Sequence, residues 1–430
     1  MSDRIIFHAD CNNFYASCEI LQQPELKDVP MAVAGDPENR VGVVVAKNEL
    51  AKRAGVKTTD TVYQAQRKCP GIVFVPPRHH FYSEISKRVN TIYLEYTDHV
   101  EPASIDESYI DMTEAAPALH MELRDLADEL RHRVHDEIGI TISVGVSFCK
   151  IFAKMGSDYK KPDATTVITR DNYKDILWPL PVGDLYMAGK AAVATMEKHY
   201  IRTIGDLAQQ SQETMRGMLG KHGDLLWRYA NGIDEETVRR YGDKPEIKSV
   251  SRGRTFKRDL VTEAEIRTAI SVLADEVARA LRKSNMKGEV VSVQIRRPDM
   301  VDTSRQTSLG HYTFLQLEIQ EVAMGLIREN WRIGAPIRAL TVGVSKLVPK
   351  DQVVEQMSLF DYASPAAGQE KRSSAAREKR SSAAREKRSS AAREKQEKLE
   401  SLVDELREKH GEGSITLGYH ENKEIGLERK

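Results

Sequence analysis

The first 180 residues alternate short β-branched runs with stretches whose apolar residues recur at three-and-four spacing. Arg4 to Ala9, Met31 to Ala34, Gly42 to Ala46, Ile72 to Val75, Ser108 to Met112 and Ile140 to Val146 predict strands, each bounded by Gly, Pro or polar residues. Tyr82 to Tyr96 and Met121 to Glu137 predict helices laid on the sheet, an α/β layer architecture. From Pro179 to Gly242 the strand signal vanishes, and short helices separated by Gly189, Gly205, Gly220, Gly223 and Gly232 predict an all-helical unit. Asp243-Lys244-Pro245-Glu246 then reads as the start of a linker.

Beyond it the alternation restarts. Thr262 with Glu265 forms a capping box that opens a helix to about Asn285, and Val291, Val293 and Ile295 alternate with Ser292, Gln294 and Arg296 as a strand with one wet face. Thr313 with Gln316 opens a second helix, and Leu340, Val342 and Val344 mark the last strand. Residues 250–346 therefore predict a β-α-β-β-α-β domain with its helices on one face and a free sheet face, where Arg252, Arg254 and Arg258 are expected at alternating positions. The tail after Lys350 repeats Glu-Lys-Arg-Ser-Ser-Ala-Ala-Arg three times, from Glu370, Glu378 and Glu386. Eight residues turn a helix by about 800°, so successive copies are rotated by roughly 80° and build no fixed apolar stripe. The repeat is a spacer rather than a core element. Glu397 to His410 then gathers Leu399, Leu402, Val403 and Leu406 on one face of a short amphipathic helix.

Composition changes this picture only when the chain is divided. Over all 430 residues, 64 basic side chains cancel 64 acidic ones. Residues 1–243 carry 29 basic and 36 acidic groups, residues 244–350 carry 19 and 12, and residues 351–430 carry 16 of each. A basic module on an acidic body suggests a polyanion partner for that module alone. No run approaches the ~18 apolar residues of a membrane span, and Asp10 interrupts the only apolar start that could serve as a signal peptide. Cys11, Cys18, Cys69 and Cys149 fit neither a zinc site nor a disulfide framework, so a reducing cytoplasm is expected. The pairs His79-His80 and His132 with His135 have no acidic or Cys companion in order and read as surface histidines.

Two acidic clusters carry candidate chemistry. Asp10 ends the first strand, and Asp106-Glu107 precede another within Ser104-Ile105-Asp106-Glu107-Ser108-Tyr109. Adjacent carboxylates among apolar neighbours repel each other and lose hydration; divalent cations remove that cost, because Mg²⁺ takes carboxylate oxygens and leaves the rest of its shell to water and phosphate. Paired ions of this kind serve in-line displacement at phosphorus. For any one of these acids taken alone, a solvated turn or an N-cap is the plainer reading.

The surrounding segments narrow the choice. His8-Ala9-Asp10-Cys11-Asn12-Asn13-Phe14-Tyr15-Ala16-Ser17-Cys18-Glu19, the Asp106-Glu107 segment, Ser143-Val144-Gly145-Val146-Ser147 with Lys150 and Ala153-Lys154, and Ser157-Asp158-Tyr159-Lys160-Lys161-Pro162 occur in that order. Together they resemble the Y-family DNA polymerases, the translesion enzymes of the DNA polymerase IV and UmuC-like groups, from residue 4 to about 346. The resemblance implies a multidomain right hand of α/β and α+β parts: palm and fingers over 1–180 (fingers about 12–75), helical thumb 181–243, linker 244–249, little finger 250–346 and tail 347–430. It implies two Mg²⁺ ions held by Asp10, Asp106 and the Cys11 carbonyl, with Glu107 completing the site beside the primer 3′-hydroxyl. Tyr15, following Phe14, falls where the family places a steric gate against the ribose 2′-hydroxyl. Lys161 would reach the incoming deoxynucleoside triphosphate, and Lys52 stands where relatives commonly carry Arg, losing the planar fork but keeping the charge. Cys149 stands where many relatives have Asn.

For primer-template DNA, the thumb turn with Gly220, Lys221 and Gly223 is the better candidate, because Tyr186-Met187-Ala188-Gly189-Lys190 lacks the usual leading Gly. The little-finger arginines would meet the backbone of the DNA, and salt should weaken that binding steeply. Gln356, Leu359 and Phe360 in Gln-Met-Ser-Leu-Phe resemble the peptide that binds the bacterial sliding clamp, with two apolar anchors carrying the energy. The expectation is a monomeric, cytoplasmic, low-fidelity DNA-template-directed DNA polymerase without an editing nuclease. A nucleotidyl cyclase and a non-catalytic DNA-binding or clamp-recruitment factor are the rival readings, and the thumb, the basic module and the intact acids speak against them.

Overall fold

The computed structural model describes residues 4–36, 42–243, 245–353, 393, 395–411, 414–415 and 423–427, which fall into two compact units that divide at residue 244. The clamp-like peptide 356–360 and the repeat from 370 to 392 lie outside the described residues.

In chain order the first unit opens with β1 (Ile6–Cys11), α1 (Phe14–Gln22), β2 (Met31–Ala34), β3 (Val44–Lys47), α2 (Glu49–Arg53), α3 (Val62–Lys68), β4 (Val73–Val75) and α4 (His79–Leu94). It continues through β5 (Val100–Pro102), β6 (Glu107–Asp111), α5 (Ala115–Leu119), α6 (Leu123–Ile138), β7 (Ile142–Ser147), α7 (Lys150–Tyr159), β8 (Thr165–Ile168) and α8 (Tyr173–Leu177). The main sheet has the order β5-β6-β1-β7-β8, and a small three-stranded sheet has the order β3-β2-β4. Every residue of β1 and β7 is buried, so both faces of the main sheet are covered. Phe7, Ala9 and Cys11 join a core with Tyr82, Val89 and Tyr93 of α4 and Leu126, Leu130 and Val134 of α6. The alternate residues Ile6, His8 and Asp10 therefore face the other way, toward α7.

Four short helices follow, α9 (Lys190–Lys198), α10 (Ile204–Ala208), α11 (Gln212–Leu219) and α12 (Lys221–Ala230), around Leu207, Met215, Leu226 and Met196. The helical signal ends at Ala230, short of the expected Gly242. The remaining segment is irregular and returns to the main sheet, where Arg239 donates to Glu101 at 2.8 Å and the Tyr241 amide to the Asp98 carbonyl at 3.0 Å.

The second unit runs β9 (Ser249–Leu260), α13 (Glu263–Lys283), β10 (Met286–Arg296), β11 (Asp302–Thr313), α14 (Gln316–Asn330) and β12 (Ile337–Pro349), the β-α-β-β-α-β order read from sequence. Its sheet has the order β11-β10-β12-β9, with Phe256, Leu260, Val291, Val293, Leu340 and Val342 packed toward the two helices. This register corrects one expectation. Arg252 lies beside Val342 and Arg254 beside Leu340, so both share the helix-side face of β9 with Val250 and Phe256. Arg254 pairs with Glu276 of α13, and Arg258 pairs with Glu265 of the same helix at 2.6 Å. A period of two fixes the outcome: the buried Phe256 sets the parity of the strand, and all three arginines are even-numbered. The open face instead carries Ser251, Gly253, Ser292, Gln294, Thr341 and Gly343.

A capping box starts α13 as expected, with Thr262 Oγ1 accepting from the Glu265 amide and Glu265 accepting from the Thr262 and Val261 amides. Burial alone would raise the Glu265 carboxyl, but those amides and the Arg258 guanidinium prevail and bring it down to about 2. Glu265→Ala is expected to lower the unit's stability at pH 7 by about 1–2 kcal/mol, the usual worth of such a cap. A depressed carboxyl stabilises above its unfolded value of 4.5 and ceases to do so as pH falls toward 2. Urea melts of wild type and variant should therefore converge across that window, and a constant difference would contradict the assignment.

The C-terminal helix is present over residues 395–410, but its orientation differs from the sequence reading. Leu399 and Leu402 are about half exposed, at 49% and 51%, while Glu400 and Arg407 are buried. Val403 is buried as the stripe predicts, and the rest of the inward face is ionic because α13 offers charges there. Arg282 donates to Glu400 at 2.5 Å and Asp404 at 2.6 Å, and Arg407 donates to Asp275 at 3.1 Å. Ile425 and Leu427 complete the core beside β9.

Candidate active site

The antiparallel register of β1 with β6 sets Asp10 opposite Glu107. Both project toward α7, where Lys154 donates to Asp10 at 3.2 Å, to Glu107 at 2.8 Å and to Asp158 at 3.0 Å. Lys161 donates to Asp10 at 2.6 Å and pairs with Asp158 at 2.7 Å. Burial opposes ionisation of Asp10, but its hydrogen bond with Glu107 and the two ammonium groups hold its carboxyl below the usual range. Glu107 is pushed up to about 6, by burial first and then by the hydrogen bond it shares with Asp10.

Asp106 does not join them. Its carbonyl accepts from the Cys11 amide at 2.9 Å, which extends the β1–β6 ladder by one residue, and neighbouring residues of an extended chain point to opposite sides. The Asp106 carboxylate accepts from Ser104 Oγ at 2.6 Å and lies toward Cys11 and Tyr15, whose pKa values burial raises first and the Asp106 charge raises further. Among the described residues no three carboxylate, imidazole or thiol groups converge as a preformed metal cluster. The reason is electrostatic: the lysines draw Asp10 and Glu107 to themselves, and the nearest donor to Asp106 is a hydroxyl.

Close packing fixes α7 against the sheet. A Cβ on Gly145 of β7 would lie 1.9 Å from the Ala153 carbonyl oxygen and 2.4 Å from the Ser157 amide nitrogen. His8, fully buried, bonds through Nδ1 to Ser157 Oγ at 2.8 Å, and its Nε2 has no hydrogen-bond partner among the described residues. Asn12 exchanges hydrogen bonds with Ser143 and accepts from the Asp163 amide at 3.0 Å, anchoring the turn that carries Lys161. His8, Asn12, Lys154, Ser157 and Asp158 lie in segments quoted above, but no role was attached to them. The legible signal was Lys154 and Asp158 four apart on one helix face.

Tyr15 stacks on Tyr82 with ring centroids 4.2 Å apart, and Tyr82 donates to the buried Glu19, which Arg78 also holds. Phe14 is buried, so Tyr15 is the more accessible of the pair. Lys52 on α2 is half exposed and pairs with Glu49 at 3.3 Å, and Glu49 also accepts from Asn13 at 3.0 Å. Cys149 caps α7 without a side-chain bond.

Residues 9–158 match the model of the impB/mucB/samB family, and residues 247–359 match that of its C-terminal domain. A protein named DNA polymerase IV from Acetivibrio thermocellus is 42% identical over 357 residues, 83% of this chain and 89% of the relative. The chain belongs to the Y family of DNA polymerases, in its DNA polymerase IV group. DNA polymerase IV 1 of Bacillus subtilis is 37% identical over 84% of this chain and 87% of its own length. A solved Y-family DNA polymerase chimera shares the fold, with a TM-score of 0.70 at 22% identity over 80% of this chain and 99% of its own.

In this Y-family chain the thumb-turn residues have distinct roles. Gly220 ends α11 and begins α12 with a φ of 65°, Lys221 is exposed, and Gly223 is a packing position where a Cβ would lie 2.0 Å from the Met215 carbonyl oxygen. In the other turn Met187 adopts a left-handed φ of 70°, the conformation the missing Gly would favour.

Proposed function

We propose that this chain is a DNA-template-directed DNA polymerase of low fidelity, working in translesion synthesis with two Mg²⁺ ions at Asp10, Asp106, Glu107 and the Cys11 carbonyl. Its standing as a DNA-directed DNA polymerase follows from its family. The observation that carries the site assignment is the β1–β6 register, which sets two hard carboxylates face to face with the Lys154 ammonium between them. That donor set suits a divalent cation. Bound Mg²⁺ would supply the charge that makes the primer 3′-hydroxyl a better nucleophile and offsets charge on the triphosphate.

The protein's own groups orient the substrates. Glu107 and Asp10 face the reacting end of the primer, Lys161 meets the triphosphate as a mobile point charge, and Lys52 supports it from the fingers. Tyr15, braced by Tyr82, closes the space beneath the sugar. Palm and fingers are assigned to 1–180, thumb to 181–243 and little finger to 250–346. Gly220 and Lys221, with the small polar face around Gly253, Gln294 and Thr341, are assigned to the DNA backbone. The working form is a cytoplasmic monomer tethered to the sliding clamp by Gln356, Leu359 and Phe360. Among the described residues no helix is long and apolar enough to cross a membrane.

The test is templated incorporation: with Mg²⁺ and a primed template the protein should add the complementary deoxynucleotide, whereas release of cyclic nucleotide alone would overturn the reading. Tyr15→Ala should lower discrimination against ribonucleotides by about 10²-fold, read from single-nucleotide insertion of paired ribo- and deoxynucleotides. Unchanged sugar selectivity would move the gate elsewhere. Deleting 356–360 should abolish stimulation by the clamp while short distributive synthesis persists; a full clamp response in the deletion would refute the tether.

A further inference from the structure

We propose that Lys154 is a built-in counter-cation of the catalytic carboxylates, one that an incoming divalent ion must displace from Asp10 and Glu107. A primary ammonium has three hydrogens to donate, and here carboxylates from β1, β6 and α7 take them at 3.2, 2.8 and 3.0 Å. The side chain is only 11% exposed, so little water competes for it. Lys161 differs: it is 29% exposed, contacts two of these acids and leaves Glu107 alone. Gly145 holds the turn of α7 that bears Lys154 directly on β7, so the lysine base is fixed and only its long side chain can withdraw.

A divalent cation seeks the same oxygens, and two cations cannot occupy one carboxylate pocket. Without the lysine, Asp10 and Glu107 would be mutually repelling charges in a partly buried site. With it, part of that negative charge is offset, and metal binding includes the work of moving Lys154 away. An arriving triphosphate offers the displaced ammonium a new anionic partner. Metal and nucleotide should therefore bind with positive coupling, each easing the other. Lys154 is thus a positioning residue that acts through the carboxylates.

The inference rests on the reading of Asp10 and Glu107 as metal ligands, and the experiment separates the two. Mn²⁺ binding to the full chain, read by electron paramagnetic resonance without nucleotide or DNA, is compared for wild type, Lys154→Gln and Lys154→Arg. Lys154→Gln should bind Mn²⁺ about tenfold more tightly, a gain of about 1.4 kcal/mol, and Lys154→Arg should stay near wild type. Equal or weaker binding in Lys154→Gln would overturn the counter-cation role alone. Failure of every form to bind Mn²⁺ would overturn the ligand assignment as well. Should Lys154→Gln not fold, ¹⁵N-lysine spectra of the wild type supply the answer. The protected ammonium signal missing from Lys154→Arg should move on Mg²⁺ addition, and a signal unmoved at saturation would overturn the proposal.

Discussion

Asp10→Asn is expected to lower primer extension by about 10³-fold or more while leaving affinity for primer-template DNA within about twofold. The substitution keeps the size of the side chain and removes its charge. Asp10 touches both Lys154 and Lys161 and also faces Glu107, so its neutralisation disturbs both the proposed metal-ligating pair and the lysine proposed to meet the triphosphate. Rapid-quench incorporation together with fluorescence anisotropy on labelled DNA separates chemistry from binding. Extension within tenfold of wild type would show that the chemistry does not need this carboxylate.

Gly145→Ala should also be damaging without touching any acid. Its new Cβ would meet the Ala153 carbonyl oxygen at 1.9 Å and the Ser157 nitrogen at 2.4 Å, and both are backbone atoms that cannot rotate aside. The helix must therefore lift from the sheet, moving Lys154, Ser157 and Asp158 together. Overpacking of this severity costs about 3 kcal/mol or more, and the loss of registry should lower extension at least about tenfold even below the melting transition. Thermal melts and extension rates measured at the same low temperature check this. A variant as stable and as active as wild type would mean that α7 has room the packing does not offer.

The periodicity of the chain made most of this fold legible, and the exceptions have physical causes. The strands at Met31–Ala34 and Glu107–Asp111 and the helices at His79–Leu94 and Leu123–Ile138 follow the patterns that predict them, with ends shifted by no more than three residues. Val100–Pro102 and Thr165–Ile168 escaped notice because a three-residue strand and a Thr-rich edge show too little alternation. Alternation identifies two faces of β9 without saying which is buried, and only the cross-strand partners Leu340 and Val342 put its arginines on the helix side. The C-terminal helix misled for a related reason. Its leucines mark an apolar stripe, but buried partners on α13 favour Glu400, Asp404 and Arg407.

The candidate site was legible as acids and not as a network. Asp10 and Glu107 could be named from their segments, and their pairing follows from strand register, which a sequence does not display. Asp106 turns away to Ser104 because strand neighbours point to opposite sides, and Lys154 reaches across from α7 because charge seeks its complement in three dimensions.

The most direct test is single-nucleotide insertion, with each deoxynucleotide offered separately, on primed templates carrying an undamaged base or a defined lesion at the templating position. Wild type should extend both templates in the presence of Mg²⁺, with selectivity set by the templating base on the undamaged one, and Glu107→Gln should extend neither at a comparable rate. Insertion indifferent to the undamaged templating base, failure on every lesion template, or undiminished extension by Glu107→Gln would contradict the assignment.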